Sequence, residues 1–195
     1  MGLNALDFKV LVGGTDLKQA GVIISSLSLD CSVEKADSFH MVVEYGFNMY
    51  TAFSDLHADL VLGKEVQVDL GYVDDLTTAF QGYITSIKIE VAEEPQEARV
   101  VISGLDKSLV LMKTVKSRSF LKKKYSDIAS TIAGETGLSA VVDATDQTYD
   151  YIEQPGISDY QLLSSLAEKS GREFFVSAGK LYFRKLPEGG SSVKT

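Results

Sequence analysis

VQVDLGYVDDLTTAFQGYITSIKIEV, residues 66–91, contains two runs in which apolar and polar side chains alternate. The apolar positions of the first run are Val66, Val68, Leu70 and Tyr72. Those of the second run are Tyr83, Thr85, Ile87, Ile89 and Val91. A period of two places alternate side chains on opposite faces of a strand, and Asp74-Asp75 between the runs predicts a tight turn. The segment therefore predicts two antiparallel strands, each with one buried face.

The same period recurs on both sides of this segment. Its apolar positions are Leu27, Leu29, Cys31 and Val33 in one run, and Phe39, Met41, Val43 and Tyr45 in another. Residues 92–97 are acidic and predict an exposed loop, after which residues 99–105 return as a partner strand. Short strands joined by short turns predict an antiparallel barrel or sandwich. Cys31 occupies an apolar position of its run, which predicts a buried, inert thiol. His40 occupies a polar position, so it is predicted to lie on the strand face opposite Phe39 and Met41.

After Gly104 the pattern changes to helices and a hairpin. Residues 125–136 predict a short helix with Ser126 as N-cap and Gly137 as its stop. Residues 158–170 predict a second helix, with Ser158 and Gln161 in a capping box and Gly171 after its end. Residues 173–177 and 181–185 predict a hairpin.

These patterns predict an α+β protein in three parts. Residues 1–105 form an antiparallel β-barrel-like domain, and residues 106–187 form a smaller mixed α/β domain with two short helices and a C-terminal hairpin. Residues 188–195 form a flexible tail of turn and linker composition.

Composition excludes several classes of protein. The 195 residues carry a net charge of −8, which disfavours binding to nucleic acid. One Cys excludes an internal disulfide and thiolate-rich zinc sites. No apolar run is long enough to span a bilayer and the N-terminus has no signal-type pattern, so we expect synthesis in a cytosol and no direct membrane insertion.

The search for catalytic chemistry gives no specific motif. The sequence lacks G-x-S-x-G, H-E-x-x-H and the glycine-rich phosphate loops, so we predict no catalytic, cofactor-binding or metal site. His40 and His57 are expected to be solvated or hydrogen-bonded. The acidic stretch formed by Asp143, Asp146, Asp150 and Glu153 lacks the glycine of a calcium-binding loop, and a solvated loop is favoured.

The most unusual local feature is a basic segment, residues 107–124, which contains no acidic residue. Seven cations in an acidic chain indicate either a solvated face or a contact with an acidic neighbouring subunit; nucleic acid is a distant third. The candidate interface residues are Lys113, Lys116, Arg118, Lys122, Lys123 and Lys124.

Five short stretches occur together in one order: FQGYITSI (80–87), SGLDKS (103–108), YSDIA (125–129), QPGISDYQLL (154–163) with LAE (166–168), and GKLYFR (179–184). As a set they resemble the phage late control protein D family, which includes the hub part of VgrG-type spikes in contractile injection systems. The resemblance covers about residues 60–186 and implies a baseplate hub that is made in the bacterial cytoplasm and resident in a virion tail or injection particle. It implies three copies around the tail axis, which contact the tail tube protein, a spike protein and other baseplate proteins.

In this family, the quoted residues read as determinants of the fold. Gly82 and Gly104 mark tight barrel backbone, Ser158 caps a helix, and Leu163 and Leu166 belong to a core. Hubs of the family usually continue into a second barrel, whereas this sequence reaches a Gly/Ser tail. The expectation is a truncated or shortened variant, or a second barrel supplied by another polypeptide.

Two alternatives come from other classes of function. A cell-wall hydrolase would require a cleft with two carboxylates and a perturbed pKa, and we expect none. A carbohydrate-binding module associated with a tail tip would require an exposed aromatic platform, whereas most Tyr and Phe lie in phase with core positions. The favoured prediction is a structural protein without enzymatic activity or cofactor.

Overall fold

The structure is a computed structural model that describes residues 6–32, 35–45, 60–73, 75–91 and 98–186. The predictions for Val33, His57, Asp74, the loop 92–97 and the tail 188–195 lie outside the described residues. The chain divides into two compact units. The first contains Met1–Asp30 and Asp37–Asp106, and the second contains Cys31–Ala36 and Lys107–Thr195.

The first unit contains one antiparallel sheet of seven strands in the order β2-β1-β5-β6-β7-β4-β3. The strands are β1 (Leu6–Val12), β2 (Thr15–Asp16), β3 (Ile23–Asp30), β4 (Ser38–Tyr45), β5 (Glu65–Tyr72), β6 (Asp75–Val91) and β7 (Ala98–Asp106). The sheet curls into a half-barrel. The prediction of antiparallel strands is confirmed, and in the described residues the sheet has two edges, at β2 and β3.

The core of the first unit consists of side chains from alternate strand positions. Its fully buried members include Val12, Phe39, Met41, Val43, Val66, Val68, Phe80, Ile84 and Ile102. The rings of Phe39 and Phe80 meet edge to face, with centroids 5.3 Å apart. Burial of these apolar side chains is the main force that holds the sheet together.

A β-bulge in β6 corrects the predicted phase of this strand. Phe80, Gly82 and Ile84 face the core, whereas the predicted inward residue Thr85 is exposed. The register shifts between Ile84 and Ser86, so that Ile87 packs against the core again. A bulge adds one residue to one strand and thereby reverses the alternation beyond it.

Cys31 is exposed, so the prediction of a buried thiol is wrong. The strand β3 ends at Asp30, one residue before Cys31. Because β3 is an edge strand and none of its residues is fully buried, its alternation carries little information about burial.

Gly82 and Gly104 lie where neighbouring backbone comes too close for a side chain. A Cβ at Gly104 would lie 2.1 Å from the carbonyl oxygen of Tyr83 and 2.4 Å from Cε1 of Phe39. A Cβ at Gly82 would lie 2.1 Å from the carbonyl oxygen of Leu105. The expectation of tight backbone at both glycines is confirmed.

The second unit combines two small sheets with three short helices. Its strands are β8 (Val115–Lys123), β9 (Ser139–Val142), β10 (Tyr149–Ser158), β11 (Arg172–Ser177) and β12 (Lys180–Lys185). Its helices are α1 (Leu109–Met112), α2 (Tyr125–Glu135) and α3 (Asp159–Lys169). Strands β8 and β10 form an antiparallel pair, and β9 pairs in parallel with β12 of the predicted hairpin β11–β12. The helix α1 was not predicted, because four residues are too few to show a helical period.

The caps explain where the two longer helices begin and end. Ser158 accepts a hydrogen bond from the backbone N–H of Gln161, and the Gln161 side chain accepts one from the N–H of Ser158, which confirms the capping box. The prediction that Ser126 is the N-cap of α2 is wrong. The helix begins at Tyr125 with Lys124 as its N-cap, and the Asp127 carboxylate accepts a hydrogen bond from the N–H of Lys124. Gly137 and Gly171 follow the helix ends with φ of +72° and +61°, as predicted.

The core of the second unit lies between the helices and both small sheets. Its members include Ile128, Ile132, Leu163, Leu166, Phe174, Leu181 and Phe183. The expectation that Leu163 and Leu166 belong to a core is confirmed, since their exposed fractions are 0% and 2%.

Candidate interaction surface

The basic segment is divided by the pleat of β8. Lys116, Arg118 and Phe120 are half-buried, whereas Ser117, Ser119 and Leu121 alternate with them and are exposed. The cations Lys116 and Arg118 therefore lie on the inner face of the strand. There they form an ionic network with Glu135 of α2 and Asp159 of α3.

Arg118 is the centre of this network. Its guanidinium donates to Glu135 at 2.7 and 2.8 Å and to Asp159 Oδ1 at 3.0 Å, while its Nε donates to Gln154 at 2.8 Å. Lys116 Nζ donates to Asp159 Oδ2 at 2.6 Å and to Glu135 at 3.3 Å. Two carboxylates thus face two cations, so this part of the basic segment is neutralised within the unit.

Burial within the network is uneven. The Asp159 side chain is 2% exposed, whereas that of Glu135 is 38% exposed. Hydrogen bonding to Arg118 lowers the pKa of Glu135 despite the opposing effect of partial burial. Asp159 also accepts from the buried Gln154 amide, which donates to the carbonyl of Ile157 as well.

The remaining candidate cations lie elsewhere. Lys113 follows α1 and is exposed. Lys122, Lys123 and Lys124 are here called the basic corner. The first two are the exposed last residues of β8, and Lys124 is the half-buried N-cap of α2. Among the residues that the structure describes, no carboxylate forms an ion pair with the basic corner. The six predicted interface residues are therefore not one surface.

The conformation of Lys122 places consecutive side chains in solvent. Its φ of 51° lies in the left-handed region, which a lysine rarely adopts. Leu121, Lys122 and Lys123 are all exposed, so the alternation of β8 stops there.

The outer face of the β8–β10 ribbon, formed by strands β8 and β10, carries exposed apolar side chains. Leu121 and Tyr151 are register partners and are 64% and 56% exposed. Val115 at the opposite end of β8 is 66% exposed. An open concavity on the ribbon is lined by Ser117, Arg118, Ser119, Tyr151, Glu153, Gln154, Pro155 and Gly156. Exposed apolar side chains beside unpaired charge are typical of interaction surfaces.

Other polar groups of the described residues include possible metal ligands, His40 and Tyr125. Within those ranges, no group of three or more His, Cys, Asp or Glu side chains could hold a metal ion. His40 is exposed and its Nδ1 lies 3.0 Å from Ser103 Oγ, as expected for a hydrogen-bonded histidine. Burial raises the pKa of Tyr125 to about 12, assisted by its stacked neighbour Tyr149.

One further observation concerns the alternative of a carbohydrate-binding module. In the described part of each unit, one aromatic side chain is exposed, Tyr72 in the first and Tyr151 in the second. A single tyrosine does not form an aromatic platform.

No described helix has the length and hydropathy required to cross a bilayer.

The ionic network was missed at the sequence level, although part of its signal is present. The period of two in residues 115–121 separates Lys116 and Arg118 from Leu121 and thus predicts their common face. The carboxylate partners lie 41 and 17 residues from Arg118 in the chain, and no local pattern identifies them.

Comparison with known families gives a match over nearly the whole chain. The model of the Alg8 N-terminal domain matches residues 3–195. The chain belongs to this family. Among proteins with curated descriptions, no significant sequence match is found.

Solved structures show the same fold in tail proteins. The 43 kDa tail protein of prophage MuSo2 from Shewanella oneidensis has 20% identity and a TM-score of 0.76, covering 92% of this chain and 53% of that protein. The tail protein from Neisseria meningitidis MC58 has 18% identity and a TM-score of 0.68, covering 92% and 50%.

The third similar structure is the E. coli c3393 protein, described as a component of the type VI secretion system with structural similarity to the T4 bacteriophage tail proteins gp27 and gp5. It has 14% identity and a TM-score of 0.58, covering 90% of this chain and 48% of that protein. This Alg8 N-terminal domain family member thus shares its fold with two tail proteins and a type VI secretion system component, and it spans about half the length of each.

Proposed function

We propose that this chain is a structural component of the baseplate hub of a contractile phage tail or injection system. The observation that carries the proposal is the fold, because both units together align with tail proteins over 92% of the chain. The sequence motifs that resemble the late control protein D and VgrG-type hubs lead to the same proposal independently. In this role the chain acts through its surfaces and catalyses no reaction.

In the proposed assembly, three copies surround the tail axis between the inner tube and the spike. A closed ring of identical copies joins two different faces of each copy. The basic corner supplies one such face, since its charge is unpaired in the described residues and the chain as a whole carries −8. Opposite charge on the second face favours one orientation of neighbours over others.

The test is self-association of the chain and of a charge-reversed variant. Native mass spectrometry and light scattering over a range of concentrations should detect trimers. Lys122→Glu, Lys123→Glu and Lys124→Glu combined should weaken assembly at least tenfold, while the melting temperature stays within a few degrees because no described ion pair is lost.

The matched control reverses three other exposed lysines of the second unit, Lys169, Lys180 and Lys185, with the same change in net charge. This control should assemble like the unmodified chain. A chain that stays monomeric at high concentration, alone and with tube and spike proteins present, would contradict the proposed function. Equal loss of assembly in both variants would show that net charge, and not the basic corner, is responsible.

A further inference from the structure

We infer that the outer edge of β8 is a docking site for an acidic, extended segment of a partner polypeptide, which adds to the β8–β10 ribbon as a third strand. The inference rests on the proposed structural function and deepens it, because it gives the chemistry of one partner and the mode by which it binds. Strand addition uses the backbone hydrogen bonds of an open sheet edge for affinity and alternate side chains for specificity.

The open edge belongs to β8 and not to β10. In the described residues the ribbon has two strands, so each has one edge without a backbone partner. On β10, Pro155 has no N–H, the ladder is bulged at Gly156, and the carbonyl of Ile157 accepts from the Gln154 side chain. Proline, bulges and covered backbone groups all block strand addition. Strand β8 has no proline, and in the pairing of β8 with β10 the extra residue lies on β10.

The ionic network holds β8 in an extended form before any partner binds. Lys116 and Arg118 are fixed to α2 and α3 by Glu135 and Asp159, and the Arg118 guanidinium lies 4.8 Å from the Phe120 ring centroid. A strand that is already ordered loses little conformational entropy on pairing. Its inner face is thus occupied, and its edge and outer face are left for a partner.

Charge selects the partner. Lys113 precedes β8 and the basic corner ends it, and none of these lysines forms an ion pair with a described carboxylate. A second copy of β8 would place lysines opposite lysines, which is destabilising, whereas glutamate or aspartate in the added strand would be attracted. The charge complement therefore favours an acidic strand other than β8, which in the proposed ring the second face of the neighbouring copy would supply.

Exposed apolar side chains on the ribbon also determine which partner sequence fits. Val115 and Leu121 are exposed on the outer face of β8, and Tyr151 stands beside Leu121 on the ribbon. An added strand with apolar residues at alternate positions would cover them. The predicted ligand therefore carries apolar residues at alternate central positions, beside Val115 and Leu121, and acidic residues at its ends, beside Lys113 and the basic corner.

The experiment uses a synthetic peptide of about eight residues with glutamates at both ends and valine alternating with serine between them. The whole chain, labelled with ¹⁵N, is titrated with this peptide, and amide hydrogen exchange is measured along β8. We expect slower exchange of β8 amides and binding that weakens with added salt. The basic-corner triple reversal should weaken binding at least tenfold, and Leu121→Ser several-fold.

Two control peptides separate the contribution of strand pairing from that of charge. One has lysine in place of the terminal glutamates, and the other has proline in place of the valines so that it cannot pair as a strand. The Lys169, Lys180 and Lys185 reversal serves as the protein control. Absence of β8 protection, or equal binding of the proline peptide, would overturn strand addition. Equal binding of the lysine peptide would overturn charge selection.

Failure of this inference can be told apart from failure of the proposed function. Trimers that depend on the basic corner, without peptide protection of β8 amides, would retain the hub and refute strand addition. Protection of β8 in a chain that never self-associates would support strand addition and refute the hub.

Discussion

Asp159→Asn should lower the free energy of unfolding of the second unit by about 3 kcal/mol. The carboxylate is 2% exposed and receives hydrogen bonds from Lys116 at 2.6 Å and from Arg118 at 3.0 Å. Asparagine keeps the shape of the side chain and removes its charge. The two cations then lose their buried counter-charge.

The magnitude follows from the geometry of the two carboxylates. Removal of one partner of a buried ion pair costs about 3–5 kcal/mol. The lower end applies here because Glu135 still faces both cations, and the side chains of Lys116 and Arg118 are 31% and 23% exposed and can gain water. Asp159 also lies in the first turn of α3, where a negative charge contributes about 0.5 kcal/mol through the helix dipole.

Urea unfolding of the whole chain, followed by circular dichroism, measures the effect. The matched control is Glu135→Gln, which removes the more exposed carboxylate of the same network and should cost less than about 1 kcal/mol. If Asp159→Asn costs no more than Glu135→Gln, burial does not set the strength of the network and the reasoning is wrong.

The network also makes a prediction about acid. Because the pKa of Glu135 is lowered in the folded state, its contribution is complete above the ordinary glutamate pKa of 4.5 and is lost as the pH falls through the lowered value. Glu135→Gln should therefore be less destabilising when measured in acid than at neutral pH. An equal cost at both pH values would contradict the ionic role of Glu135.

Two further predictions concern the backbone. Gly104→Ala should lower the free energy of unfolding by about 3 kcal/mol, because the Tyr83 carbonyl and the Phe39 ring cannot both move away from the added methyl group. In its control, Gly134→Ala, the methyl group meets no atom, so the free energy of unfolding should rise by about 0.5–1 kcal/mol through helix propensity. Equal effects in thermal unfolding would refute the close approach. In the two-residue turn of the β11–β12 hairpin, Ala178 and Gly179 have φ of 45° and 75°, as in a type I′ turn. Because asparagine adopts a positive φ more readily than alanine, Ala178→Asn should raise the free energy of unfolding in urea by about 1 kcal/mol. A decrease would contradict a type I′ turn.

Local signals in the sequence were sufficient where a single element carries its own pattern. The capping box of Ser158 and Gln161, the glycines after both helices, and the β11–β12 hairpin all depend on residues within a few positions of one another. Antiparallel pairing of the first unit was predicted from the period of two. These features are set by local sterics and hydrogen bonding, which one stretch of sequence contains.

The sequence-based predictions fail where a neighbouring strand or a residue distant in the sequence determines burial or pairing. The bulge after Ile84 reverses the phase of β6 because the partner strand β7 fixes where the extra residue lies. Cys31 is exposed because β3 is an edge strand, a fact that depends on the order of strands in the sheet. The pairing of Lys116 and Arg118 was not predicted, because the carboxylates that neutralise them come from α2 and α3.

The division of the basic segment explains why one strand can serve both the core and a partner. If Lys116 and Arg118 were on the outer face, β8 would lack the anchors that fix it to α2 and α3, and its edge would not be held ready for pairing. If the basic corner were also neutralised within the unit, the same edge would accept any extended chain, including another copy of itself. Internal pairing at one end of β8 and unpaired charge at the other therefore give a strand that is rigid and selective.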